Sequence, residues 1–194
     1  MTKPVLAIEW SSTRLSIARM QGEHLEENVL ELKRFQAELV LPVLETFLSE
    51  METPSQIRIG RGPGNYSGIR QALAWAFGYC APGGIDLKVY SSGVAQAARI
   101  SHTRSCRFAV LGDARRGVWW GRVFGEGGED WKLQSPEQWA VELGSIPVYS
   151  QEALRLAQAP FEVIADFPTA LDLLNLSEDL PTEEPAPLYL HPAV

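Results

Sequence analysis

The chain has 194 residues, 45% of them hydrophobic, with 17 basic against 24 acidic side chains and a net charge of −7. That length is enough for a real core in one or two compact domains, and the negative charge argues against direct binding of a nucleic-acid backbone. The two cysteines, Cys80 and Cys106, form no Cys-x-x-Cys pair, no apolar run reaches membrane-spanning length, and Met1-Thr2-Lys3-Pro4 leads into a strand rather than a signal-peptide core; a reduced, cytoplasmic protein is expected.

In chain order, Val5 to Ile8 predicts a central strand ending in Glu9-Trp10-Ser11-Ser12. Arg14 to Arg19 alternates as its hairpin partner, and His24 to Leu32 follows Gly22 as a third antiparallel strand. Residues 36–51 predict a helix whose apolar positions, Val40, Leu44 and Phe47 among them, cover roughly 200° of arc, wider than one buried face needs. Gln56 to Ile59 alternates as a half-buried strand.

Gly60-Arg61-Gly62-Pro63-Gly64-Asn65-Tyr66-Ser67-Gly68-Ile69-Arg70 is a glycine-rich turn opening a helix that runs to Cys80, with Ser67 as the expected N-cap. Gly62, Gly64, Asn65, Ser67 and Gly68 have two open readings: backbone N–H groups aimed at an anion beside a helix N-terminus, or a rigid turn that seats the helix. Neither the Walker nor the Rossmann spacing is matched. Between Arg61 and Asp86, Arg70 is the only charge. Ile69, Leu73, Ala76, Phe77 and Cys80 fall on one side of the helix; Ser67, Gln71, Ala74 and Gly78, flanked by Trp75, form a smooth strip on the other, on which another helix could lie.

Leu87 to Tyr90 predicts a strand and Gly93 to Ile100 a helix, so residues 1–104 read β-β-β-α-β-α-β-α, the order of one actin-like (ribonuclease H-like) lobe. A smaller second lobe is expected over residues 105–194. It comprises a hairpin of Phe108 to Leu111 and Gly117 to Phe124 around Asp113-Ala114-Arg115-Arg116, helices over 136–143, 151–157 and 169–176, strands over 146–149 and 161–165, and a loose acidic linker over 178–187. No internal repeat is apparent. In the Trp119-Trp120 pair the rings point to opposite faces, one to the core and the other a candidate for exposure.

His24, His102 and His191 have no ligand spacing, so no metal site is expected, and no nucleophile triad is supported. Glu9, Ser11, Asp113 and Arg115 are candidates for a polar cleft; the plainer account of Asp113-Arg115-Arg116 is a charged turn.

The 60–70 loop resembles the signature of the TsaB (YeaZ) family, usually Gly-Pro-Gly-Ser-Phe-Thr-Gly-Val/Leu-Arg. Asp113-Ala114-Arg115 followed by Trp119-Trp120, and Pro187-Leu188-Tyr189-Leu190, resemble its second and C-terminal motifs. The resemblance implies an α/β, two-lobed, actin-like (ASKHA) protein without its own catalysis. It implies docking on a TsaD-type enzyme through Val40, Leu44 and Phe47 of the first helix and Ser67, Gln71, Ala74, Trp75 and Gly78 of the second. With a TsaE-type ATPase the family supports threonylcarbamoylation of the tRNA adenosine beside the anticodon, tRNA being met only indirectly. No cofactor of its own is expected, ATP and magnesium entering at the complex interface or the cleft if at all. Glu9-Trp10-Ser11 departs from the family's Asp-Thr-Ser/Ala and sets a bulky ring where related ATPases bring a phosphate; Arg34-Phe35-Gln36 replaces its Glu-His-Ser/Thr. The alternatives are an actin-like nucleotide-dependent enzyme using Glu9, the loop and Asp113, and a stand-alone homodimer.

Overall fold

The computed structural model describes residues 3–32, 40–125 and 130–190. Two five-stranded sheets carry the fold. The first contains β1 (Val5–Glu9), β2 (Arg14–Gln21), β3 (His24–Glu31), β4 (Gln56–Gly60) and β5 (Asp86–Tyr90) in the order β3-β2-β1-β4-β5. β1, β2 and β3 pair antiparallel, and β4 and β5 join in parallel through the crossover helix α2 (Tyr66–Cys80). The second contains β6 (Phe108–Asp113), β7 (Trp119–Phe124), β8 (Lys132–Gln134), β9 (Val148–Ser150) and β10 (Val163–Ala165), ordered β10-β9-β6-β7-β8. Read from β8, it repeats the first sheet's order and its antiparallel-then-parallel pairing. The chain is thus two copies of one ribonuclease H-like topology, the actin-like arrangement, a repeat that leaves no trace in the residues themselves.

The period of two along β1 explains how each face is covered. Leu6 and Ile8 join Leu15, Ile17, Ile57 and Ile59 beneath α1 (Val40–Ser49) and α2. Ala7 points the other way, with Ala18 and Tyr90, toward α3 (Ser92–Thr103) and α5 (Ala170–Leu174). In the second sheet Ala109, Leu111, Trp119 and Val148 pack on Trp139 and Leu143 of α4 (Pro136–Leu143). The opposite face, Phe108, Val110, Trp120 and Tyr149, packs on Ala97 and Ile100 of α3. α3 is therefore a shared layer that joins both sheets.

Several expectations are corrected. Both tryptophans of the 119–120 pair are buried, one on each face of the second sheet, because both faces are covered. Ser67 is inside α2, whose N-cap is Asn65, without a side-chain cap bond. Residues 151–157 form successive turns rather than a helix. The first helix is seen from Val40; residues 36–39 of its expected span, with Arg34-Phe35-Gln36, lie outside the described residues. The chain passes to the second sheet between Thr103 and Phe108, but α5 does not complete the second lobe: it returns to pack on the first sheet.

The return is held by a residue that alternation placed on the wet side of β4. Arg58 is buried, and its Nη1 donates to the carbonyls of Leu173, Leu174 and Leu176 at 3.0, 3.2 and 2.9 Å, satisfying the open C-terminal end of α5. Its other ends meet Gln56 and Glu178. The supposed linker is also ordered. Val89 N donates to Thr182 Oγ1 and Glu183 N to Val89 O, Ser91 N donates to Glu183 Oε1, and Leu188 N donates to Arg61 O. Residues 182–188 thus strap the otherwise open edge of β5.

Candidate functional site

The strap ends in a cleft of about 760 Å³ between the lobes. Its walls are the turn after β1 (Ser11, Ser12, Thr13), the loop from Pro63 to Ser67, the β6–β7 turn, the 151–155 turns and Leu188-Tyr189-Leu190. Of the sequence candidates, Ser11, Gly64, Asn65, Ser67, Asp113 and Arg115 line it. Glu9 lies beneath the floor, 1% exposed, and Gly68 beneath Trp10.

Several of the loop's N–H groups are taken up by the chain itself. Asn65 N donates to Ser11 O at 2.6 Å, Asn65 Nδ2 to Ser12 O at 3.1 Å and Gly62 N to Ser92 Oγ at 3.0 Å. Gln151 Nε2 donates to the same Ser11 carbonyl at 2.9 Å. Gly64 has φ +147°, and a Cβ there would stand 2.0 Å from Ser11 O, so this contact requires glycine twice over. A Cβ on Gly68 would meet the Trp10 backbone at 2.4 Å. Trp10 and the Ser11 carbonyl occupy the hollow that the glycines create.

Glu9 Oε1 accepts from Ser11 N at 2.7 Å, whereas Oε2 has no hydrogen-bond partner among the described residues. Burial pushes its carboxyl up to about 7, against the lowering pull of the Ser11 and Ser92 groups. The Asp113 cluster is self-neutralising. Asp113 Oδ1 accepts from Arg115 N at 2.8 Å, its Oδ2 faces Arg115 at 3.4 Å and Arg155 at 3.5 Å, and Asp113 N donates to Glu152 Oε2 at 2.7 Å. Burial raises Glu152 as well. Gln151, Glu152 and Arg155 had no sequence signal; they come from an irregular segment that only tertiary contact brings to Asp113.

The helix face divides differently from expectation. Val40, Leu44 and Phe47, at 6, 2 and 5% exposure, are core, so they are not available as an outer contact surface; α1 exposes Leu41, at 55%, together with Pro42, Glu45 and Thr46. On α2 the strip Ser67, Gln71, Ala74 and Gly78 is exposed, and Trp75 is half-buried and stacked on Tyr79 at 4.9 Å. Phe77, expected inside, is 44% exposed, because the sheet touches an arc centred on Ile69, Ala72, Leu73 and Ala76. The outer face of α2 is thus small and aromatic, with Arg70 as its single charge.

No family model matches the chain, and no curated protein does. Among solved structures it is similar to YeaZ from Pseudomonas aeruginosa, at TM-score 0.75 and 22% identity over 97% of this chain and 100% of that one. The chain has the YeaZ fold. A second structure, of an uncharacterised P. aeruginosa protein described as similar to the peptidase YeaZ, matches at TM-score 0.76 and 22% identity, covering 98% of this chain and 100% of that one. No helix among the described residues is long and apolar enough to cross a membrane, and these residues contain no group of three or more His, Cys, Asp or Glu able to hold a metal.

Proposed function

We propose that this chain is a TsaB (YeaZ)-type scaffold subunit that docks on a TsaD-type enzyme by the outer face of α2 and the exposed edge of α1, and so supports threonylcarbamoylation of a tRNA adenosine. A TsaE-type ATPase joins the assembly, and tRNA reaches this subunit only indirectly. The observation that carries this reading is the α2 face: fifteen residues from Tyr66 to Cys80 without an acid, with Ala74, Phe77 and Gly78 turned outward. Such small-residue and aromatic surfaces suit a subunit interface. The loop does not fit a nucleotide phosphate, since Trp10 and the Ser11 carbonyl stand in its hollow, and no catalytic step is assigned to the cleft.

Light scattering after size exclusion, with the chain alone and mixed with the TsaD-type protein of its own source, tests the reading. A one-to-one complex is expected. A Cβ on Gly78 meets nothing within 4 Å, so Gly78→Arg, like Ala74→Arg, should abolish association while leaving the melting temperature nearly unchanged. If both variants still associate, the interface lies elsewhere. The exposed Leu41 and Phe77 favour a second reading, a homodimer through the same face, which the unmixed sample reports.

A further inference from the structure

Two motif residues lack a role in this docking: Arg70, which ends the glycine-loop signature, and Tyr189 of the C-terminal motif. The structure brings them together. Arg70 Nη1 donates to Tyr66 Oη at 2.6 Å, and its guanidinium lies 5.2 Å from the Tyr66 ring centroid. The Tyr189 ring packs on Tyr66 with centroids 5.3 Å apart and planes 33° apart. The strap end therefore steadies Tyr66, and Tyr66 steadies the guanidinium.

Arg70 is exposed and shares a row of α2 with Ala74 and Phe77, at i, i+4 and i+7. It forms no ion pair among the described residues; Asp86, the next charge along the chain, faces Lys88. A partner laid over Ala74 and Phe77 takes water from this cation, and a phenol oxygen does not replace that hydration. A second copy meeting α2 against α2 offers no acid, because α2 contains none. A partner carboxylate, in contrast, fits the guanidinium fork with two hydrogen bonds.

We infer that Arg70, held by Tyr66 and Tyr189, is the specificity anchor of the α2 face and receives a carboxylate from a different protein. The inference rests on the docking reading and adds to it the chemistry of the partner's matching surface. Titration calorimetry of the full chain against the TsaD-type protein of its source, at low and high salt, tests it. Arg70→Gln should weaken binding by about 30-fold or more, and Arg70→Glu should abolish it. Tyr189→Ala should weaken it by about 3- to 10-fold, through loss of positioning alone. Wild-type affinity should fall with salt more steeply than that of Arg70→Gln. All three variants should melt like wild type, the side chains being exposed. If Arg70→Glu binds within about threefold of wild type while Ala74→Arg abolishes binding, the anchor is wrong and the docking face stands. If wild type itself fails to bind, the docking reading falls and the anchor with it.

Discussion

Glu9 shows how a residue legible as polar acquires a property that the sequence does not display. Its place at the end of a central strand marked it as a cleft acid, but it is 1% exposed, its Oε2 lying against Gly60 and Ser92 at the start of α3. Its carboxyl titrates near 7 in the fold against an ordinary 4.5. Because the folded value is the higher, the protonated form is favoured by folding: Glu9 costs nothing below about 4.5, and destabilises progressively as pH rises to about 7. The displacement corresponds to roughly 3 kcal/mol at its upper limit. Glu9→Gln should therefore be more stable than wild type at pH 8 and near parity at pH 4.5, with urea unfolding at both values as the check; a difference that does not change with pH would contradict the burial argument. Asp172, on a neighbouring element, is raised by burial in the same sense, so the comparison must be made against wild type rather than read from one curve.

At the scale of elements, the strands and α2 were legible because period-two alternation and an apolar stripe survive in any context. Where Arg58 and residues 178–187 were misplaced, the reason was shared: a distant segment covered a surface. Arg58 reads as the wet side of β4 until α5 arrives from residue 170 to be capped by it. Arg58→Ala would leave the buried carbonyls of Leu174 and Leu176 without a donor among the described residues and a cavity beside them, for a loss of about 3 kcal/mol or more. Arg58→Lys should not rescue it, since one ammonium cannot replace the guanidinium fork. Denaturant unfolding gives the loss, and faster proteolysis between 177 and 190 would place it at the strap. Unaltered stability would mean that α5 is held by its apolar side alone. Composition suggested a loose linker over 178–187; the strap is held because β5's edge supplies the backbone partners that its own sequence lacks.

For the whole molecule, the decisive feature is α3, which packs Ala95 toward the first sheet and Ala97 and Ile100 toward the second. One helix in two cores couples the lobes, so unfolding should be a single transition by calorimetry. Ile100→Ala, costing about 2–5 kcal/mol, should lower that transition without splitting it; two separated transitions in wild type would refute the coupling. Sequence by itself determined the element order of residues 1–104, the first lobe's topology, the glycine turn and the charge-poor face of α2, because each rests on local periodicity, turn chemistry or composition. Tertiary structure alone decided the duplication of the sheet order, the return of α5, the filling of the loop by Trp10 and Ser11, and the joining of Arg70 to Tyr189. Those depend on contacts between segments up to about 150 residues apart, such as Ala170 with Ser16, and closing so long a loop leaves no periodic mark on either partner.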